Sequence, residues 1–419
     1  MLQVGFGVGD ITPSPGMEMP GGFTKRKGKG AAEKLLAVAC VVYDGKTPVA
    51  LVGIDTLFIT RPTVEAARRT IQKATSIPGE NVLIGASHTH TGGPIATCLG
   101  CDADPAYLDK VTKEIVAAVT SAWNSLHATQ LGIGVGTERT ISFNRRFLMR
   151  DGREITHPGK PGTPHHKDIV APAGPIDPDV GVLAAKTPDG KIAGVVVNFA
   201  CHNTAMGGDQ FTADYVGKLR THLKARYGEH TPVAFLLGAC GDITQVNNMV
   251  KGSEFGAEHA DMMGMKLAAE TVRTIENMTP IRPDPDVERE QPPFGLGSGD
   301  LANTVYERER KLVAEQRHRT PKIPCEVQAL RIGPLGIVTN GAEYFCEYAL
   351  RIKQASRLKP TFVVSLANES LGYVPTAQAF MAGGYEPRTA RSSKMGIETG
   401  QRLLETALKA LGRVTPKEG

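Results

Sequence analysis

Along the first third of the chain, continuous apolar runs alternate with stretches in which apolar residues recur every third or fourth position. "LAVACVVYD", "PVALVGID" and "ENVLIGAS" are apolar runs of strand length, the pattern of strands covered on both faces. Between the last two, "PTVEAARRTIQKATS" sets Val64, Ala67 and Ile71 at helical spacing behind Pro62, a residue suited to a first helical turn. "AYLDKVTKEIVAAVTSAWNSL" places Leu108, Val111, Ile115, Val119, Ala122 and Leu126 along one helical face. The alternation resumes with the strand "KIAGVVVNFACHNT", the helix "FTADYVGKLRTHLKARYG" and the strand "PVAFLLGACGD". A further helix is predicted over about 254–277, with Met262, Met265, Leu267 and Val272 inward.

Two stretches interrupt the pattern. Residues 147–180 are rich in Pro and Gly and read as a long loop whose His157, His165 and His166 are solvated. Residues 279–300 form a second break, followed by a charged helix near 301–317, the strands "CEVQALRIG" and "PLGIVTNG", and a helix opening at about Glu343. No internal repeat is visible. The expectation is an α/β fold, a mixed β-sheet core with flanking helices, forming one domain over 1–419 with insertions at about 147–180 and 279–320.

Composition narrows the function classes. The 419 residues are 41% hydrophobic and 22% charged, enough to bury a sizeable core, and the net charge of +5 is small for that length. It gives no reason to expect nucleic acid or a membrane surface as partner. No window approaches the roughly 18 apolar residues of a membrane helix, so no integral membrane segment is expected. Aromatics are scarce, with Trp123 the single tryptophan. The opening "MLQVGFGVGDITP" lacks the basic and apolar regions of a signal peptide, and the seven cysteines are an odd number set mostly in apolar strands. Both point to a cytoplasmic protein with reduced thiols. Cys98 and Cys101 form a lone C-x-x-C without a second pair, a weak metal or redox motif. Nothing in the sequence sets an oligomeric state.

The candidate chemistry lies at strand ends. "NVLIGASHTHTGGPIATC" ends an apolar run in His88 and His90, which as strand residues would share a face. His202 and Asp242 also end apolar strands, where α/β sheets build their sites. Glu343 follows the strand "PLGIVTN". Two imidazoles and a carboxylate with an open position are the ligand set of a catalytic zinc. Each piece also has a plainer reading, a hydrogen-bonded core histidine or a helix-dipole carboxylate, and spacing alone says nothing about substrate. A cupin-type site fails, because Gly93 and Pro94 stand where its glutamate would be needed. An amidohydrolase barrel fits poorly, because two strands precede the His-Thr-His.

Seven segments in order carry a resemblance. They are "VGFGVGDITP", "SHTHTGG", "SFNRR", "VNFACHNTAM" with Asp214 following, "ACGDITQVN", "GAEYFCEYALRIK" and "LGYVPTAQAFMAGGYE". Together they resemble the catalytic domain of the neutral/alkaline, non-lysosomal ceramidase family of zinc amidases, and they run through nearly the whole chain. The resemblance implies one zinc ion per chain with ligands His88, His202, Glu343 and Tyr373. It implies catalytic roles for His90, Arg145 and Tyr385 beside the substrate, and attack of zinc-bound water on the carbonyl of a small-molecule amide. The chain also departs from the family pattern. Thr244 and Gln245 replace a Ser-Pro, Gly92-Gly93 replaces a Gly-Pro, and the chain ends without the C-terminal β-sandwich of larger members. No apolar loop suited to two long lipid chains is visible, so the amide need not be ceramide. The rival readings are a zinc esterase or other hydrolase of a small polar substrate, a non-haem iron oxidoreductase on two His and one Glu, and a non-catalytic binding protein.

Overall fold

The computed structural model describes residues 2–22, 24–98, 100–278, 280–281, 312–314, 323–388, 390 and 392–415. Three sheets form its centre. In the first the strand order is Val82–Ala86, Pro48–Ile54, Leu36–Tyr43, Gln3–Asp10 and His127–Ala128. In the second it is Val233–Leu237, Ile192–Phe199, Asp179–Lys186, Gln130–Thr137 and Pro280–Ile281. The third has Ala329–Ile332, Leu335–Thr339 and Thr361–Val364.

The continuous apolar runs are explained by cover on both faces. Along Leu36–Tyr43, Val38, Cys40 and Val42 belong to a core with Leu183, Val196 and Leu236 of the second sheet and Phe362 of the third. The alternate residues Ala37, Ala39 and Val41 share a core with Val111, Ile115 and Ala118 of helix Pro105–Asn124. The layers approach closely. A Cβ on Gly7 would lie 2.0 Å from the Ala118 carbonyl oxygen of that helix, and one on Gly53 would lie 2.3 Å from the Phe235 carbonyl oxygen of the second sheet. Helices Tyr215–Tyr227 and Ala257–Asn277 lie beside the second sheet, and helices Cys346–Ala355 and Thr399–Val414 beside the third.

A repeat that the sequence does not display appears in the topology. Each sheet contains an antiparallel strand pair, then a helix, then a strand parallel to the second member of that pair. Leu36–Tyr43 and Pro48–Ile54 lead through helix Arg61–Thr75 to Val82–Ala86. Asp179–Lys186 and Ile192–Phe199 lead through helix Tyr215–Tyr227 to Val233–Leu237. Ala329–Ile332 and Leu335–Thr339 lead through helix Cys346–Ala355 to Thr361–Val364. The fold therefore corrects the expectation of no internal repeat. The three units keep the pattern of apolar runs and have little sequence in common.

Other expectations are corrected locally. The stretch 147–180 is not a bare loop: Arg146–Met149, Glu154–Thr156 and Ile169–Pro172 form a small antiparallel sheet. In helix Ala257–Asn277 the inward residues are Met263 and Leu267, with Met262 and Val272 half-buried and Met265 48% exposed. The predicted face is one residue out of phase there. The break at 279–300 and the charged helix near 301–317 fall mostly outside the described residues, and Leu312–Ala314 form a strand paired with Ile323–Cys325. Glu343 does not open a helix. It lies in the short strand Ala342–Tyr344, and the helix begins at Cys346. All seven cysteines are free, and all but Cys98 are buried. Among the described residues no helix is long and apolar enough to cross a membrane.

Candidate functional site

The three units place their chemistry beyond the carboxyl ends of parallel strands, where open α/β sheets build ligand sites. His88 comes two residues after Val82–Ala86, His202 three after Ile192–Phe199, and Glu343 four after Leu335–Thr339. All three residues are nearly inaccessible, at 2%, 1% and 9% exposure. His88 and His90 reach the same point for a different reason from strand alternation. The strand stops at Ala86, and His88 takes a left-handed backbone with φ 66°, a conformation that costs a non-glycine residue energy and must be imposed by its surroundings. The His88 amide bonds the Thr56 carbonyl at 3.0 Å, and the His90 amide bonds the Asn203 carbonyl of the second unit at 3.3 Å.

Hydrogen bonds fix which ring nitrogens face inward. His88 Nδ1 lies 2.7 Å from the Leu57 carbonyl, His90 Nδ1 3.0 Å from the Gly21 carbonyl, and His202 Nδ1 2.6 Å from the Cys240 carbonyl. A carbonyl can only accept, so each Nδ1 carries the hydrogen and each Nε2 presents a lone pair. Those lone pairs converge. His88 and His90 Nε2 are 3.3 Å apart, and Glu343 Oε2 is 3.4 Å from both His88 and His202 Nε2. The ligand atoms of His88, His90 and His202 lie within 4.8 Å of one another, a group able to hold a metal ion. Two ligands at tetrahedral zinc distances stand roughly 3.3 Å apart, so the spacing matches as well.

Electrostatics favour the same protonation states. Burial pushes His202 down to about 4, helped by the Arg145 charge, and burial with the neighbouring rings pushes His90 well below its ordinary value. Burial would raise the Glu343 carboxyl, but His88 and His202 outweigh it and hold it well below the usual range. At neutral pH His90 and His202 are neutral imidazoles beside the Glu343 carboxylate.

The remaining predicted residues stand around this cluster. Tyr373 lies in the strand Gly372–Val374, whose parallel pairing sets it directly opposite Glu343. The Arg145 guanidinium carbon is 5.4 Å from the Tyr373 ring centre, and Arg145 Nη1 is 3.5 Å from His202 Nε2. Burial raises the Tyr373 phenol well above its ordinary value, although Arg145 pulls the other way. The Tyr385 ring meets Tyr373 edge-on at 5.7 Å, and its phenol is also raised, by burial and then by Glu343. The structure thus brings His88, His90, Arg145, His202, Glu343, Tyr373 and Tyr385 to one place.

Other sequence candidates have different work. Asp242 accepts from the Cys346 amide and from Asn144 Nδ2, both at 2.8 Å, and so caps a helix and ties a strand instead of joining the cluster. Burial lifts its carboxyl to about 6. The Thr244 hydroxyl donates to Gln245 Oε1 at 2.8 Å. His157 is not simply solvated, since its Nδ1 lies 3.1 Å from Asn248 Oδ1 and its amide bonds the Arg145 carbonyl. Sequence reasoning missed Glu386, which is fully buried and bonds Arg145 Nε at 2.8 Å, Arg146 Nη1 at 2.5 Å and the Thr156 hydroxyl at 2.8 Å. Its signal was adjacency, because Glu386 follows Tyr385 as Arg146 follows Arg145.

No known family's sequence profile matches this chain. No curated protein matches it either. Solved structures do. The chain superposes on the neutral ceramidase from Pseudomonas aeruginosa with a TM-score of 0.76 and 19% identity, over 99% of this chain and 75% of that one. A ceramidase complexed with C2 gives a TM-score of 0.73 and 18% identity, over 98% of this chain and 74% of that one. The chain therefore has the α/β fold of the neutral ceramidases.

Proposed function

We propose that this protein is a metal-dependent hydrolase that cleaves the C–N bond of a small amide, with one zinc ion per chain held by His88, His202, Glu343 and Tyr373. The observation that carries the reading is the set of converging lone pairs. Glu343 Oε2 is brought within 3.4 Å of both His88 and His202 Nε2, acceptor against acceptor with no hydrogen between them, and such groups repel unless a cation neutralises them. The likeness of fold to neutral ceramidases supports amide hydrolysis as the reaction.

Zinc held there would supply Lewis-acid polarisation of the carbonyl and lower the pKa of a water to around 7. The carbonyls of Leu57 and Cys240 fix the rings of His88 and His202, so no reorganisation is needed on binding. His90 stands at the flank, its ring centre 4.8 Å from that of His88 and 6.0 Å from that of His202. Its free Nε2 takes a proton from the attacking water and returns it to the departing nitrogen. The C–N bond breaks, the water oxygen stays on the carbonyl carbon, and the amine leaves neutral. Tyr385 stays protonated and donates to the developing oxyanion. Arg145, locked by Glu386 and the Gly241 carbonyl, holds Tyr373 and favours its ionised form against burial.

Metal analysis tests this reading. Wild type should carry about one zinc per chain, and His88→Ala and Glu343→Ala should lose it. Paired amide and ester substrates then separate an amidase from an esterase. Iron with oxygen consumption would favour the oxidoreductase, and a protein that binds no metal would overturn the proposal.

A further inference from the structure

The insertion after Arg145 supplies nothing to the metal cluster, yet it lies beside it. Its strand Glu154–Thr156 and the segment 380–388 wall a groove of about 560 Å³. Tyr385 belongs to that wall and touches Tyr373 edge-on, so the groove adjoins the proposed reaction centre. Ile155, Phe380 and Pro387 give it an apolar lining.

Its charges are nearly all committed. Glu154 is bonded to Arg146 and to Gln378. Arg153 is paired with Asp151, and Thr156 is taken up by Glu386 and the Tyr385 amide. Arg388 alone has no side-chain hydrogen bond or ion pair among the described residues. Among the described residues the one uncompensated charge lining the groove is therefore a guanidinium, whose planar fork suits a carboxylate.

We propose that this groove selects an amide that carries a carboxylate, with Arg388 binding that group and the apolar lining covering the chain that bears it. The assignment rests on the amide-hydrolase reading and adds a substrate class to it. An acyl amino acid is the simplest compound of this kind. A neutral amide offers Arg388 a carbonyl acceptor but no charge and no bidentate partner.

The test compares hexanoylglycine with its neutral twin hexanoylglycinamide. Calorimetric binding to the metal-loaded full chain is measured for wild type, Arg388→Ala and Arg388→Lys, with hydrolysis of both compounds followed in parallel. The acid should bind wild type about tenfold more tightly than the amide or better, the scale of one charge-assisted pair. Arg388→Ala should abolish that preference and Arg388→Lys should keep part of it. Equal binding in wild type, or a preference that survives Arg388→Ala, overturns the groove assignment. Hydrolysis is read separately. If neither compound is cut while the preference depends on Arg388, the hydrolase reading fails and the anion site stands. If both are cut without any preference in binding, the groove assignment fails and the hydrolase reading stands.

Discussion

At the residue scale, the decisive feature is the direction of four acceptor atoms. Each histidine spends its Nδ1 hydrogen on a backbone carbonyl, which leaves Nε2 no choice of role. Glu343 lies at equal distance, 3.4 Å, from His88 and His202, and no such contact links it to His90. His90→Ala is therefore expected to keep the metal and to lower kcat by about 10²–10⁴-fold, the usual contribution of a positioned acid or base. Loss of metal from that variant, read by metal analysis, would make His90 a ligand instead. The identities of these residues were legible in the sequence. Their tautomers were not, because the carbonyls that set them belong to residues 21, 57 and 240, distant along the chain.

At the element scale, the site depends on helices and sheets fitted without slack. The Gly53 position leaves no room for a methyl group between the first and second sheets. Gly53→Ala should cost about 1–3 kcal/mol or more through overpacking, seen as a lower urea midpoint with unchanged slope. Helix Tyr215–Tyr227 starts at Asp214, a fully buried residue with φ 59° that accepts from the Met206 and Tyr215 amides. Burial lifts its carboxyl to about 7 from an ordinary 3.8. A carboxyl raised on folding keeps its proton in the native state while the unfolded chain has lost it, so its contribution falls as pH rises between those values. Wild type should therefore lose stability relative to Asp214→Asn from about pH 4 to about pH 7, by at most about 1.4 kcal/mol per pH unit. Denaturant titrations across that range check the slope, and parallel curves would contradict it. The helix and strand spans were largely legible, since burial on one or both faces writes its period into the sequence. Met265 shows where that fails, because a helix with three methionines in four residues does not declare which of them faces inward.

At the scale of the whole molecule, the cluster joins three units that are far apart in sequence. A cation held there would bind the folded chain and find no preformed site in the unfolded one, so it would stabilise the fold by mass action. Removing metal with a chelator should lower Tm, and restoring zinc at about 100 times its Kd should return about 2.7 kcal/mol. The same cycle on Glu343→Ala should show little shift. A Tm that ignores the chelator in a zinc-loaded wild type would contradict the site.

What the sequence determined by itself was local: the apolar runs, the helices between them, and the histidines and carboxylate at their ends. Those features are legible because each depends on neighbours a few residues away. Only the tertiary structure decided that the same unit occurs three times, that Glu343 lies on a strand opposite Tyr373, and that the insertion after Arg145 walls a groove whose guanidinium is unpaired among the described residues. The register of parallel strands and the packing of one sheet on another are set by contacts between distant segments, and no local period records them.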